Sequence, residues 1–137
     1  MHTILGPLQT GLPVLFTQLA VTLGLLGLGA GCYTVATPFN EIRLIRDGNN
    51  AAGIVLAGTL VALAIPLAAT LATSHVTLDI AVWGLVALLI QLAALIATAA
   101  LLHGLRGMIE RGNTAAASLL VGIQIAVALL NAGAVAG

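Results

Sequence analysis

Four apolar runs, each long enough to cross a bilayer, constrain this chain more than any other feature. A membrane-spanning helix needs roughly 20 predominantly apolar residues, at about 1.5 Å of rise each. The runs cover about Leu12 to Ala36, Asn49 to Thr73, Leu78 to Leu102 and Thr114 to Ala136. They use most of the 137 residues, and the remainder is too short for an extramembrane fold. Only 6% of the chain is charged, against about 25% in an ordinary soluble domain. The expected fold class is an all-α membrane protein with four transmembrane helices.

Charge narrows the function classes. Four basic residues, all arginine, balance four acidic ones. No basic field exists to hold nucleic acid, and no acidic tail suggests a cationic partner. Cys32 is the single cysteine, which excludes an intrachain disulfide and a thiolate metal cluster. It reads as a small apolar filler within a helix. The first span lacks a basic leader and is too long for a cleaved signal peptide, so its retention is expected.

The arginines also suggest an orientation. Arg43 and Arg46 lie between the first and second spans, Arg106 and Arg111 between the third and fourth. In an up-down bundle these loops share one side of the membrane. The positive-inside rule places that side in the cytoplasm, with both termini and the loop Ser74–Thr77 outside.

The second half of the chain echoes the first. Ile45-Arg46-Asp47-Gly48-Asn49-Asn50-Ala51-Ala52 aligns with Ile109-Glu110-Arg111-Gly112-Asn113-Thr114-Ala115-Ala116. Farther on, Gly58 matches Gly122, Ala62 matches Ala126, Ala64 matches Ala128 and Ala68 matches Ala132. The expected unit is a helical hairpin used twice, over residues 1–73 and 74–137. Two helices per unit preserve direction, so the copies are related by an axis along the membrane normal and are not inverted repeats. In each copy the asparagine is placed to cap the following helix, and the glycine before it permits a sharp bend. Arg46-Asp47 in one copy becomes Glu110-Arg111 in the other. Crossed pairs, Arg46 with Glu110 and Asp47 with Arg111, would latch the two tips, although exposed pairs contribute only about 0–1 kcal/mol.

Helices in lipid associate through close backbone approach and interhelical hydrogen bonds. The first span carries a small-residue seam at Ala20, Gly24, Gly27 and Gly31. The third carries Gly84, Ala87, Gln91, Ala94 and Thr98 on one face, the fourth Ala117, Val121, Gln124, Ala128 and Asn131. These seams predict tight packing, within the bundle or across a homo-oligomer. Gln91 and Gln124 fall near mid-membrane on their seams, with Gln18 and Asn131 closer to the outer side. A side-chain amide facing lipid is costly, so these four either join helices or line a polar path. No ionisable side chain sits at the centre of a span, which weakens an ion-coupled transporter.

Pro66 interrupts the second span and predicts a kink. Pro38 ends the first span. Asp79 complements the positive end of the third helix, and a metal site from His2, His75 and Asp79 has no paired spacing to support it. His103 reads as interfacial. No cofactor is implied.

Several short motifs occur together: Thr37-Pro38-Phe39-Asn40-Glu41, Leu44-Ile45-Arg46, Asn49-Asn50-Ala51-Ala52, Gly58, Pro66-Leu67, Trp83-Gly84, Ile90-Gln91-Leu92, Asn113-Thr114-Ala115-Ala116 and Asn131-Ala132. In this order they resemble the YjfL-like inner-membrane proteins, a bacterial family built from a duplicated domain of unknown function. The resemblance covers nearly the whole chain, with Pro38, Glu41, Asn49, Gln91, Asn113 and Asn131 as matching positions. It implies four helices, a duplication and a bacterial inner membrane. It brings no established activity and no catalytic residue. The genomic setting of some relatives, beside proteins similar to phage-shock membrane-remodelling factors, implies a role in envelope maintenance.

The residues hold no nucleophile–base pair, metal cluster or phosphate loop. The expectation is a non-enzymatic inner-membrane interaction component. It would associate with itself and with membrane or cytoplasmic proteins through tips bearing Glu41, Arg43, Arg46, Asp47, Asn49, Glu110, Arg111 and Asn113. The alternative is a small oligomeric channel or carrier with a path through Gln91 and Gln124.

Overall fold

The computed structural model of the chain describes residues 2–36, 41–74 and 76–137, with backbone alone at residues 2, 3, 36 and 103. Pro38 and His75, and the side chains of His2 and His103, lie outside the described residues, and with them the metal set that the sequence left open. The described chain is helical: α1 (His2–Ala36), α2 (Glu41–Arg46), α3 (Asn50–Thr73), α4 (Thr77–Leu101), α5 (His103–Glu110) and α6 (Thr114–Ala136). Four helices are long and apolar enough to cross a membrane, at Ile4–Val35, Asn50–Thr73, Thr77–Leu101 and Thr114–Ala136.

Three of these match their expected bounds within a residue or so; α1 does not. It begins ten residues before Leu12 and has 35 residues. Gln9, Thr10 and the prolines Pro7 and Pro13 dilute the apolar signal at the start of the run. They do not stop the helix. Pro7 is the sixth residue of α1, so it removes a single hydrogen bond near the helix start. The hydroxyls of Thr10 and Thr17 meanwhile donate back to the carbonyls of Gly6 and Pro13, at 3.2 Å and 2.8 Å. At 1.5 Å per residue α1 is about 52 Å long, well beyond a hydrocarbon core of about 30 Å.

Contacts fix the helix directions. Leu88 lies against Gly29 and Leu25 against Gly84, so α1 runs parallel to α4. Thr59 meets Gln124 while Asn49 meets Ile109, so α3 runs parallel to α6. Asn131 meets the Ala87 carbonyl and Gln91 meets that of Gln124, so α4 is antiparallel to α6. The same register puts Thr77 level with Gln18. Residues 2–17 therefore continue about 24 Å past the start of α4, and residues 4–17 are all exposed.

The tips are helical where the sequence suggested loops. α2 stops at Gly48 (φ +87°) and α5 at Gly112 (φ +85°), the left-handed region that glycine enters at no steric cost. At the first, Gly48 N–H donates to the Ile45 carbonyl and Asn49 N–H to that of Leu44; at the second, Gly112 donates to Ile109 and Asn113 to Met108. Each is a Schellman stop. The same asparagine then starts the next helix: Asn49 Oδ1 accepts from Ala52 N–H and Asn113 Oδ1 from Ala116 N–H, both at 3.1 Å. One Gly-Asn pair thus ends one helix and begins another, turning the chain back into the bundle.

The core has two parts. Near the tips, Ala51 and Val55 pack with Ile109, Ala116, Ala117 and Leu120. In the middle, Tyr33, Leu63, Leu67, Leu88, Leu92 and Leu95 pack together, with Leu25, Leu26 and Ala30 against them. α3 runs unbroken through the buried Pro66, as proline in membrane helices can where neighbouring elements satisfy the freed carbonyl.

Candidate functional site

Among the described residues, five buried polar side chains meet in the core. Tyr33 on α1, Thr59 on α3, Gln91 on α4, and Gln124 and Asn131 on α6 are all buried, both glutamines to within 1%. The helices place them on facing stripes. Gln91 follows Gly84 by two turns and Ala87 by one, and Gln124 sits between Ala117 and Ala128; these small neighbours are buried and let the backbones approach.

Gln124 is the hub. Its Oε1 lies 3.2 Å from Thr59 Oγ1, which also donates to the Val55 carbonyl at 2.7 Å. Its Nε2 donates to the Tyr33 hydroxyl at 3.3 Å, and that hydroxyl meets Thr59. Its backbone carbonyl accepts from Gln91 Nε2 at 3.4 Å. Gln91 Oε1 in turn accepts from Asn131 Nδ2 at 3.2 Å, and Asn131 Nδ2 also donates to the Ala87 carbonyl at 3.1 Å. A connected set of hydrogen bonds therefore joins α1, α3, α4 and α6.

Both side-chain polar atoms of each glutamine have protein partners. Such bonds contribute on average only about 0.6 kcal/mol each in membrane proteins. The larger stake is their loss, since an unpaired buried amide costs about 1–3 kcal/mol. The arrangement joins the four helices through neutral side chains.

Three of the four residues singled out as intramembrane polar groups, Gln91, Gln124 and Asn131, are thus brought together. Gln18 is not; it stands half-buried on α1, level with the start of α4. Sequence reasoning missed Tyr33 and Thr59. Tyr33 is the single tyrosine, and a buried phenol in an apolar helix needs a partner for its hydroxyl. Thr59 gave no signal, because threonine hydroxyls commonly bond back to their own helix.

At the tips, Arg43, Arg46, Asp47, Glu110 and Arg111 are exposed. Glu41 departs from the exposed role expected of it: at the start of α2 it is 2% exposed and lies near Tyr33. The crossed latch is replaced. Glu110 pairs with Arg106, 3.1 Å away one turn back on its own helix, where it needs no contact between tips. Among the described residues no ion pair joins Asp47 to Arg111. The tips are joined instead by Asn49, whose Nδ2 donates to the carbonyls of Ile109 at 3.0 Å and Glu110 at 3.2 Å.

The small-residue seams divide. Gly58 receives Val121 and Gly84 receives Leu25, and a Cβ at either would collide. Gly29, outside the expected seam, receives Leu88. Gly24, Gly27, Gly31 and Gly122 have open space where a Cβ would stand, and Ala20 is exposed. Packing of the α1 seam inside the bundle is therefore excluded: Ala30 and Tyr33, on the other side of α1, face the core. Cys32, within α1, is exposed.

Comparison with known proteins identifies a family. A family model described as "Domain of Unknown Function (DUF350)" matches residues 7–135. The chain is 33% identical over 100 residues to the UPF0719 inner membrane protein YjfL of Escherichia coli strain K12, covering 73% of this chain and 76% of that one. The YjfL of Escherichia coli O157:H7 matches with the same identity and coverage. No solved structure matches. With four apolar helices and a family match over nearly its full length, the chain is an inner-membrane protein and belongs to the DUF350 family.

Proposed function

We propose that this protein is a non-enzymatic component of the inner membrane that works by association within the bilayer, first with a second copy of itself. The observation behind this reading is the bare face of α1. Gly27, Leu28, Gly31, Cys32 and Val35 line a shallow groove of about 560 Å³. Val35 is 87% exposed. Glycines inside the bundle each receive a neighbour's side chain, whereas Gly24, Gly27 and Gly31 receive none. In lipid, a stripe without side chains favours a second helix over acyl chains, because backbones can then approach closely.

The rest of the reading follows from it. The bundle is a duplicated hairpin, residues 1–73 and 74–137, with its Gly-Asn corners in the cytoplasm and both termini outside. The exposed arginines and acids of those corners meet membrane or cytoplasmic proteins, and the setting is envelope maintenance. A small oligomeric channel through Gln91 and Gln124 is the second reading. The connected hydrogen bonds from Tyr33 to Asn131 favour it; the closure of those bonds on one another counts against a water-filled path.

Cys32 makes the test direct, because it lines the groove and is the single cysteine. Mild oxidation of membranes holding the intact protein should give a Cys32-linked dimer, abolished by Gly27→Leu. Monomers under oxidation, together with a monomeric mass on release from nanodiscs, would overturn the self-association.

A further inference from the structure

At the end of the bundle away from the Gly-Asn corners, α3, α4 and α6 leave a recess of about 500 Å³. Its walls include Thr70, Thr73, Ser74, Asp79, Trp83 and Val135. The volume lies in the usual range for small-ligand sites.

Acceptors outnumber donors in the walls, where Ser74 and the indole N–H of Trp83 can donate. Thr70 gives its hydroxyl hydrogen to the Pro66 carbonyl at 3.1 Å, and Thr73 gives its own to the Ala69 carbonyl at 2.8 Å. A hydroxyl has one hydrogen and two lone pairs, so both threonines offer the recess lone pairs. Asp79 adds a carboxylate. Trp83 follows it by one turn on the same face of α4, where residues four apart are neighbours, and adds an aromatic face attractive to cations. Thr70, Thr73, Asp79 and the face of Trp83 together accept hydrogen bonds and positive charge.

A primary ammonium group fits these walls: it is positive and carries three donors and no acceptor. Two of the helices that form the recess also carry exposed apolar side chains: Leu78 is 69% exposed and Val82 52% on α4, and Leu130 76% on α6. An amphiphile can set its head against Asp79 and Trp83 and lay its chains along these residues. We propose that the recess binds the ammonium head of a zwitterionic phospholipid with a primary amine. A trimethylated head lacks the N–H groups that Thr70 and Thr73 would accept, and an anionic head meets the Asp79 carboxylate. The floor is rigid, because Trp83 and Val135 stand one turn from Ala87 and Asn131, which are hydrogen-bonded to each other. The site does not depend on self-association through α1.

The test uses the intact protein in nanodiscs of equal phosphatidylethanolamine, phosphatidylcholine and phosphatidylglycerol, with bound lipid counted by native mass spectrometry after release. The expected result is one retained phosphatidylethanolamine per chain, favoured about tenfold over the other two, as for a charge-assisted contact. Asp79→Asn should remove the preference, and Trp83→Phe should keep most of it. Equal retention of the ethanolamine and choline lipids by the unaltered protein would overturn the proposal without any variant. A preference unchanged in Asp79→Asn would also overturn it. Trp83 is the single tryptophan and reports the site by its emission. If millimolar free ethanolamine shifts that emission as the lipid does, the ligand is a soluble cation and the lipid assignment fails.

Discussion

The corner at Asn49 and the corner at Asn113 share one design and carry different loads. Each has glycine at positive φ, a Schellman stop and an asparagine cap at 3.1 Å. Asn49 is half-buried and also spends its amide nitrogen on the carbonyls of Ile109 and Glu110; Asn113 is exposed. The same contrast holds two turns farther along the helices. Gly58 receives Val121, whereas its counterpart Gly122 has open space where a Cβ would stand. Matching Gly-Asn motifs therefore do not mean a symmetric interface. Asn49 reaches the end of α5 and Gly58 receives α6, whereas the matching Asn113 and Gly122 are left facing outward.

The contrast can be broken most severely at the glycines. Gly58→Leu should destabilise the bundle by about 3 kcal/mol, the upper end for overpacking, because Val121 occupies the space. Gly122→Leu should change stability by less than about 0.5 kcal/mol, as outward substitutions do. Unfolding of both variants in matched detergent measures the difference. Similar losses would mean that the two faces are equally engaged.

At the caps a smaller gap is expected. Asn113→Ala should cost about 1 kcal/mol, the usual loss of an N-cap. Asn49→Ala should cost about 2–3 kcal/mol, adding two partly exposed hydrogen bonds to the same loss. Equal costs would show that the bridge to Ile109 and Glu110 contributes nothing. The glycines before them sharpen the comparison from the other side. Gly48→Ala and Gly112→Ala should each cost about 1–2 kcal/mol, because each forces a side chain into the left-handed region. Unequal costs there would show that the two stops differ in more than their neighbours.

Much of this was legible in the chain itself. The four apolar helices follow from run lengths, and the two caps from Gly-Asn before an alanine-rich stretch. Gln91, Gln124 and Asn131 were found because an amide in lipid must face protein. What could not be read was which face of α1 turns inward. Its small residues lie on one side, its single phenol on the other, and composition favours neither; Tyr33, with a hydroxyl to satisfy, faces inward, so Gly24, Gly27 and Gly31 face out. Glu41 was misplaced for a related reason, since a carboxylate in a short tip segment reads as solvated until its helix is known to pack under α3. The extent of α1 was hidden by Pro7 and Pro13, whose cost depends on position in the helix rather than on presence.

The smallest expected effect concerns the charges exchanged between the corners. Arg46-Asp47 and Glu110-Arg111 invite a crossed latch, but Glu110 lies 3.1 Å from Arg106 with both side chains about 41% exposed. A pair so exposed on one helix contributes about 0.3–0.5 kcal/mol and weakens in salt. A double-mutant cycle over Arg106→Gln and Glu110→Gln should return a coupling of that size, fading at high ionic strength. The cycle over Arg46→Gln and Glu110→Gln should return none. A larger coupling in the second cycle would mean that the corners meet through charge as well as through Asn49. The asymmetry would then be shared between the two corners instead of resting on a single amide.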